Sequence, residues 1–170
     1  MEIRIRKAVP EDAASVAEVL NSVIAERRYS ALDTPFSVEE ERSFIASLGP
    51  REAMFMAEVN GQIVGVQTID GYAKYTGSMQ HVGIMGTFVL RDHRRKGIGQ
   101  TLVERTFSFA KRCGYEKILI YVRASNEGAL RFYKGLGFVE IGRASRQVKI
   151  DGEYDDEIFL EIFLEPMAVS

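Results

Sequence analysis

The stretch FVLRDHRRKGIGQTL (88–102) runs from an apolar segment through a basic turn and two glycines into the start of an amphipathic helix. Arg91, Arg94, Arg95 and Lys96 place four positive charges within six residues, against the single acid Asp92. Gly97 and Gly99 remove side chains where the helix begins, and the unpaired N–H groups of a first helical turn add partial positive charge there. The physical product is a socket for a phosphate or pyrophosphate, whose oxygens the bare backbone can approach. A solvated basic loop has the same composition, and a short glycine pattern is weak alone. Two rival phosphate motifs are excluded. A P-loop needs Lys-Ser/Thr after its second glycine, and Gly99 is followed by Gln100-Thr101; a dinucleotide fingerprint needs a glycine where Leu102 stands.

Outward from this stretch, the pattern predicts alternating strands and helices. IRIRKAV (3–9) alternates as a half-wet strand. Pro10 opens a helix whose Val16, Val19, Leu20, Val23 and Ile24 form one apolar stripe. After the loop YSALDTPF, Ser37 and Glu40 form a capping box for a second helix with Phe44, Ile45 and Leu48 on its apolar side. AMFMAEV (53–59) and IVGVQTI (63–69) flank Asn60-Gly61, a strong hairpin signal. VGIMGTFVL (82–90) and ILIYV (118–122) are apolar throughout and read as strands buried on both faces. Between them a helix over 97–112 carries Ile98, Leu102, Phe107 and Ala110 on one stripe. A short helix from Glu127 to Leu136 and two strands at 138–149 and 154–164, joined at Asp151-Gly152, complete the order β–α–α–β–β–β–α–β–α–β–β. That alternation implies an α/β sandwich around a mixed sheet.

Composition narrows the function classes. The chain has 170 residues, a length suited to a single domain over 1–170. A formal net charge of −2 disfavours nucleic-acid binding through bulk electrostatics, and RDHRRK lacks interleaved aromatics. Cys113 is the only cysteine, so no internal disulfide or cysteine-based metal cluster forms. Asp, Glu and His lack paired ligand spacing, and no metal is expected. No apolar run has membrane-span length, and the N-terminus lacks a signal-peptide core, so a cytoplasmic protein is expected.

The phosphate turn, the buried strand ILIYV and the following NEGALRFYKGLGF (126–138) stand in one order. Together they resemble the Gcn5-related N-acetyltransferase (GNAT) superfamily, over the whole chain in element order and over roughly 80–150 in motif detail. Arg94-x-x-Gly97-x-Gly99 is similar to the family's acetyl-CoA pyrophosphate loop, and Asn126…Ala129…Tyr133…Gly137-Phe138 to its second cofactor motif. Within the superfamily, Asn21-Ser22, Thr34-Pro35-Phe36 and the Tyr154–Leu164 end loosely resemble small-amine acetyltransferases of the phosphinothricin type. The family usually has a proline where this chain has Arg91 and an aromatic residue where it has His93.

The resemblance implies a mixed, mostly antiparallel seven-stranded sheet flanked by about four helices, with the fourth and fifth strands splayed. It implies that backbone groups of Phe88, Val89 and Leu90 hold the pantetheine arm. Amides from Arg94 through Arg95, Lys96, Gly97, Ile98, Gly99 and Gln100 to Thr101 would hold the pyrophosphate of acetyl-CoA. Asn126 would touch the pantetheine or cap its helix, Ala129 would lie beside it, and Tyr133 would lie near the thioester sulfur. A backbone N–H near Val89 would meet the oxyanion, and Tyr133 would protonate the leaving thiolate. Candidates for the base are Glu58, His81 and acids of the C-terminal hairpin, with water as an alternative. Asp155, Asp156 and Glu157 stand out as acids that attract a cationic amine. Tyr29, Asp33, Thr34 and Phe36 are candidates for an acceptor pocket, and Tyr72, Tyr75 and Met79 for the same site or a homodimer contact. The expected function is acetyl transfer to a small primary amine by direct attack. A protein N-terminal or lysine acetyltransferase, and a CoA-binding module without catalysis, stand as alternatives.

Overall fold

The computed structural model describes residues 1–165; the last five residues of the expected domain lie outside the described residues. The elements are β1 (Arg4–Lys7), α1 (Ala13–Ala25), α2 (Val38–Ser47), β2 (Ala53–Val59), β3 (Gln62–Gly71), β4 (Val82–Val89), α3 (Ile98–Arg112), β5 (Lys117–Arg123), α4 (Glu127–Gly135), β6 (Val139–Ile150) and β7 (Glu153–Phe163). This is the order expected from the sequence. The strands form one seven-stranded sheet in the order β1-β2-β3-β4-β5-β7-β6, antiparallel throughout except for β4 with β5.

Each face of the sheet carries its own core. Val16, Val19 and Leu20 of α1 and Ile45 of α2 pack on Met54, Met56 and Val66. On the other face, Ile98, Leu102, Val103 and Phe109 of α3 pack with Phe55, Ile69, Met85, Ile118, Ile120 and Tyr133. A side chain of this size contributes about 1.5–3 kcal/mol when fully buried. The β2–β3 turn has Asn60 at φ 50° and Gly61 at φ 81°, and the β6–β7 turn has Asp151 at 51° and Gly152 at 82°. Two successive left-handed residues match the twist of a tight hairpin.

Four details depart from the sequence pattern. Pro10–Asp12 forms a separate 3-10 turn before α1, held by Asp12, which accepts from Arg6 at 2.8 Å and from the Val9 N–H at 2.9 Å. In α3 the inward aromatic is Phe109, while Phe107 is half-buried. β4 is fully buried only near its start, and Tyr121 of β5 is exposed, because both strands end in an open cleft. In α2, Phe44 faces outward; the buried positions are Glu41 and Ile45, four apart on one face.

Glu41 is 4% exposed, and its Oε2 has no hydrogen-bond partner among the described residues. Burial, with a smaller push from Glu40, raises its carboxyl above the ordinary glutamate value. The folded chain therefore holds this proton more tightly than the unfolded chain. The stability it brings is complete at acid pH and is lost as pH climbs through the raised value. Glu41→Gln is expected to raise Tm at neutral pH, by about 2–4 °C per kcal/mol recovered, with no gain below the ordinary glutamate range. Thermal melts across pH check this, and identical melting at neutral pH would contradict it.

Candidate active site

β4 and β5 pair at Val82–Lys117, Gly83–Ile118 and Ile84–Leu119 and then separate. β5 continues along β7 and β4 continues along β3, so a cleft of about 1250 Å³ opens between them. The alternation of the β3–β4 ladder decides which backbone groups face it. Tyr72 N–H donates to Val82 C=O at 3.0 Å and Leu90 N–H to Val64 C=O at 2.9 Å. In this register Phe88 and Leu90 bond to β3, whereas Met85, Thr87 and Val89 turn their backbone to the gap. Of the three residues expected to offer backbone partners, Phe88 and Val89 line the cleft, and Val89 alone turns its backbone groups to it. Its carbonyl accepts from Arg94 Nε at 2.9 Å, which leaves its N–H.

The turn after β4 brings several amides together. Arg95 at φ 58° and Gly97 at φ 83° are both left-handed. The N–H groups from Arg95 to Gln100 have no protein partner among the described residues. Thr101 is different: its N–H and hydroxyl both donate to Gly97 C=O at 3.0 Å. The two glycines answer different constraints. A Cβ on Gly97 would meet no atom within 4 Å, so its requirement is conformational. A Cβ on Gly99 would lie 3.2 Å from Phe132 Cζ, so its requirement is the packing of α3 on α4. Ile98 contributes its side chain to the core, and Lys96 is exposed outside the cleft.

The Arg94 side chain points away from this nest of amides. Its guanidinium pairs with Glu26 at the end of α1 and stacks 4.6 Å over the Tyr29 ring. Arg91, Arg95 and Arg131 are the further cations that line this end of the cleft.

Tyr133 is buried on the α3–α4 face, between the Phe132 and Phe138 rings at 5.1 and 5.4 Å. Its hydroxyl lies 2.7 Å from Thr87 Oγ1, which also accepts from Gln67 Nε2 at 2.8 Å. Gln67 is fully buried, and its Oε1 has no partner among the described residues. Burial pushes the Tyr133 hydroxyl up to about 12, and the Thr87 bond opposes that shift. Asn126 caps α4 by accepting from Ala129 N–H at 3.1 Å.

Tyr121 and Glu157 belong to the opposite face, since their neighbours Ile120, Val122 and Ile158 point into the α3–α4 core. There the segment between α1 and α2 lines the cleft with Arg28, Tyr29, Ser30, Ala31 and Leu32. It is fastened to the far side of the gap. Arg27 pairs with Asp151 at 2.8 Å, Arg123 donates to Arg27 and Ser30 C=O at 3.2 and 3.3 Å, and Asn126 Nδ2 donates to Tyr29 C=O at 3.3 Å.

Two of the expected catalytic groups fall elsewhere. Glu58 sits on β2 beside Arg6 at 4.0 Å, and His81 is exposed before β4; neither lines the cleft. Strand β2 places Glu58, and the turn before β4 places His81, away from the gap, which alternation alone did not reveal. Asp155 and Asp156 are engaged by Arg123 at 2.9 Å and Arg143 at 2.7 Å. Phe36 joins the α1–α2 core, and Asp33, Thr34, Tyr72, Tyr75 and Met79 do not line the cleft. The residues missed were Thr87, Gln67 and Arg131. A glutamine inside the apolar strand IVGVQTI was the available signal for Gln67.

Comparison with known proteins agrees with this geometry. Residues 17–138 match the acetyltransferase (GNAT) family. An L-amino acid N-acyltransferase of Escherichia coli is 25% identical over 98% of this chain and 99% of its own. An N-alpha-acetyltransferase of Sulfurisphaera tokodaii is 31% identical over 89% of each chain. The crystal structure of a phosphinothricin acetyltransferase from Sinorhizobium meliloti in complex with AcCoA superposes with a TM-score of 0.89, covering 96% of this chain and 89% of that one at 18% identity.

The fastening of the 26–36 segment is directly testable. Arg123→Ala removes the donor to two of its carbonyls and should speed tryptic cleavage at Arg27 and Arg28 severalfold, read by mass spectrometry. Cleavage at the wild-type rate would show that the segment is held by other contacts.

Proposed function

The chain belongs to the acetyltransferase (GNAT) family, and on that premise we propose that it moves the acetyl group of acetyl-CoA to a primary amine on a small acceptor. The observation that carries the acceptor class is the fastened segment between α1 and α2. A polypeptide acceptor needs an open groove, whereas this segment crosses the gap and walls one end of the cleft. The names of the Escherichia coli relative and of the Sinorhizobium meliloti neighbour point the same way.

The residues present fit acetyl-CoA. Six consecutive amides from Arg95 to Gln100, the left-handed Gly97 and the cations Arg91, Arg95 and Arg131 suit a pyrophosphate. Arg94 acts on the turn rather than on phosphate, through Glu26 and Val89 C=O. Val89 N–H, facing the gap, is placed to meet the carbonyl oxygen as negative charge builds on it. Tyr133 gives its proton to the departing thiolate. A thiol of ordinary pKa near 8.5 leaves more readily with a donor at hand. With Gln67 donating to Thr87 Oγ1, the Thr87 hydroxyl can turn to donate to Tyr133 Oη. That orientation leaves the tyrosine proton directed at the cleft and offsets part of the rise that burial causes.

A CoA-release screen across small amines, amino acids and peptides tests the function; turnover confined to peptides would overturn the small-acceptor reading. Gly97→Glu should abolish acetyl-CoA binding in calorimetry, because it strains a left-handed position and adds negative charge to the amide nest. Arg94→Ala should weaken binding less, and the reverse order would contradict the division between amides and side chain.

Tyr133→Phe should keep acetyl-CoA affinity and lose about 10²-fold in kcat. Thr87→Val should lower kcat in the same way, with Thr87→Ser restoring it. The double variant should fall little below Tyr133→Phe, because the two act as a unit. Full additivity, or wild-type turnover in Tyr133→Phe, would remove the hydroxyl chain from the mechanism.

A further inference from the structure

The acceptor's ammonium, of pKa about 10 near neutral pH, must lose a proton before its nitrogen can attack. Glu58 and His81 lie outside the cleft, which leaves the acids that line it. These are Glu127 and Glu157 among the described residues, and Glu127 is bridged to Arg131 at 3.7 Å. On the β6–β7 hairpin, Asp151, Asp155, Asp156 and Glu161 each pair with an arginine or lysine. Glu157 sits among them with no ion pair or side-chain hydrogen bond among the described residues. It is half-buried, and it lies on the sheet face opposite Tyr133, where Arg28 to Leu32 of the fastened segment line the cleft.

We propose that Glu157 receives the ammonium of the small acceptor and takes its proton, so that the nitrogen attacks through the β4–β5 gap from the face opposite Tyr133. The inference rests on the small-amine reading. One N–H proton passes to a Glu157 carboxylate oxygen, and the freed lone pair forms the new C–N bond. The C–S bond breaks, and the thiolate takes the Tyr133 proton, which the second nitrogen proton replaces. Glu157 returns its proton to solvent, so the net release is one proton per turnover.

The surroundings are consistent with such a role. Burial raises the Glu157 carboxyl above its ordinary value, towards the range where a general base works best. Arg123, opposite it on β5, is committed to Asp155 and to the carbonyls of Arg27 and Ser30. Tyr121, also on β5, is neutral: partial desolvation of its hydroxyl, then the bond to the Tyr72 hydroxyl, pushes it up to about 12. Arg28 lines the same cleft from the segment after α1.

The test compares ethylamine with 2,2,2-trifluoroethylamine, which are similar in size, at slightly alkaline pH. The second is already largely neutral and needs little help from a base. Glu157→Gln should lose about 10²-fold in kcat/KM for ethylamine, lose severalfold less for the fluorinated amine, and keep wild-type acetyl-CoA affinity in calorimetry. Glu157→Asp should recover part of the ethylamine rate. An unchanged rate in Glu157→Gln, or equal losses for the two amines, would overturn the assignment while leaving the proposed function standing. A wild-type enzyme inert towards both amines and turning over peptides alone in the CoA-release screen would overturn the small-acceptor reading itself, and this inference with it.

Discussion

The candidate site depends on the parting of β4 from β5 after the Ile84–Leu119 pair. A sheet normally satisfies every interior N–H and C=O along its ladders. Here two adjacent strands leave part of that duty undone, in the middle of the sheet rather than at an edge. Thr87 and Val89 consequently offer backbone groups to a cleft with a separate core on each side. A bound chain with its own amides can complete the ladder, as an added strand does at a sheet edge.

The opening requires ties elsewhere. Arg94 joins the turn after β4 to Glu26 and Tyr29 at the end of α1. Arg123 and Asn126 hold the next residues of that segment from the β5 and α4 side. The 26–36 segment is thus a strap across the gap, built from contacts far apart in sequence. The buried chain Gln67–Thr87–Tyr133 is a second such device. Gln67 is fully buried and donates to Thr87 Oγ1, the same oxygen that partners the buried Tyr133 hydroxyl.

Local patterns made most of the fold legible. Asn60-Gly61 and Asp151-Gly152 fixed both hairpins, and the stripe of α1 and the capping box of α2 placed those helices. Errors arose where position on a face depended on distant partners. Glu41 takes an inward position in α2 that its chemistry argues against, which turned Phe44 outward. The phosphate turn was legible from charge and glycine spacing, but the separate reasons for Gly97 and Gly99 were not, because Phe132 belongs to another helix. Glu58 and His81 were named for their chemistry alone, and the strand order removed both from the cleft. Asp155, Asp156 and Glu157 stood out together in the sequence; the structure separates Glu157 from the other two because Arg123 and Arg143 engage its neighbours, and pairing between strands is invisible in a run of acids.

The central claim is that the β4–β5 gap and the amide nest of the α3 N-terminus are the acetyl-CoA site. Amide NMR during titration with acetyl-CoA tests it most directly. The account predicts that the Val89 N–H and the N–H groups from Arg95 to Gln100 shift together and saturably, with Thr101, Phe88 and Leu90 moving less because their N–H groups are already bonded within the protein. Saturable shifts confined to other elements, with the Val89 and Arg95–Gln100 amides unmoved, would contradict it.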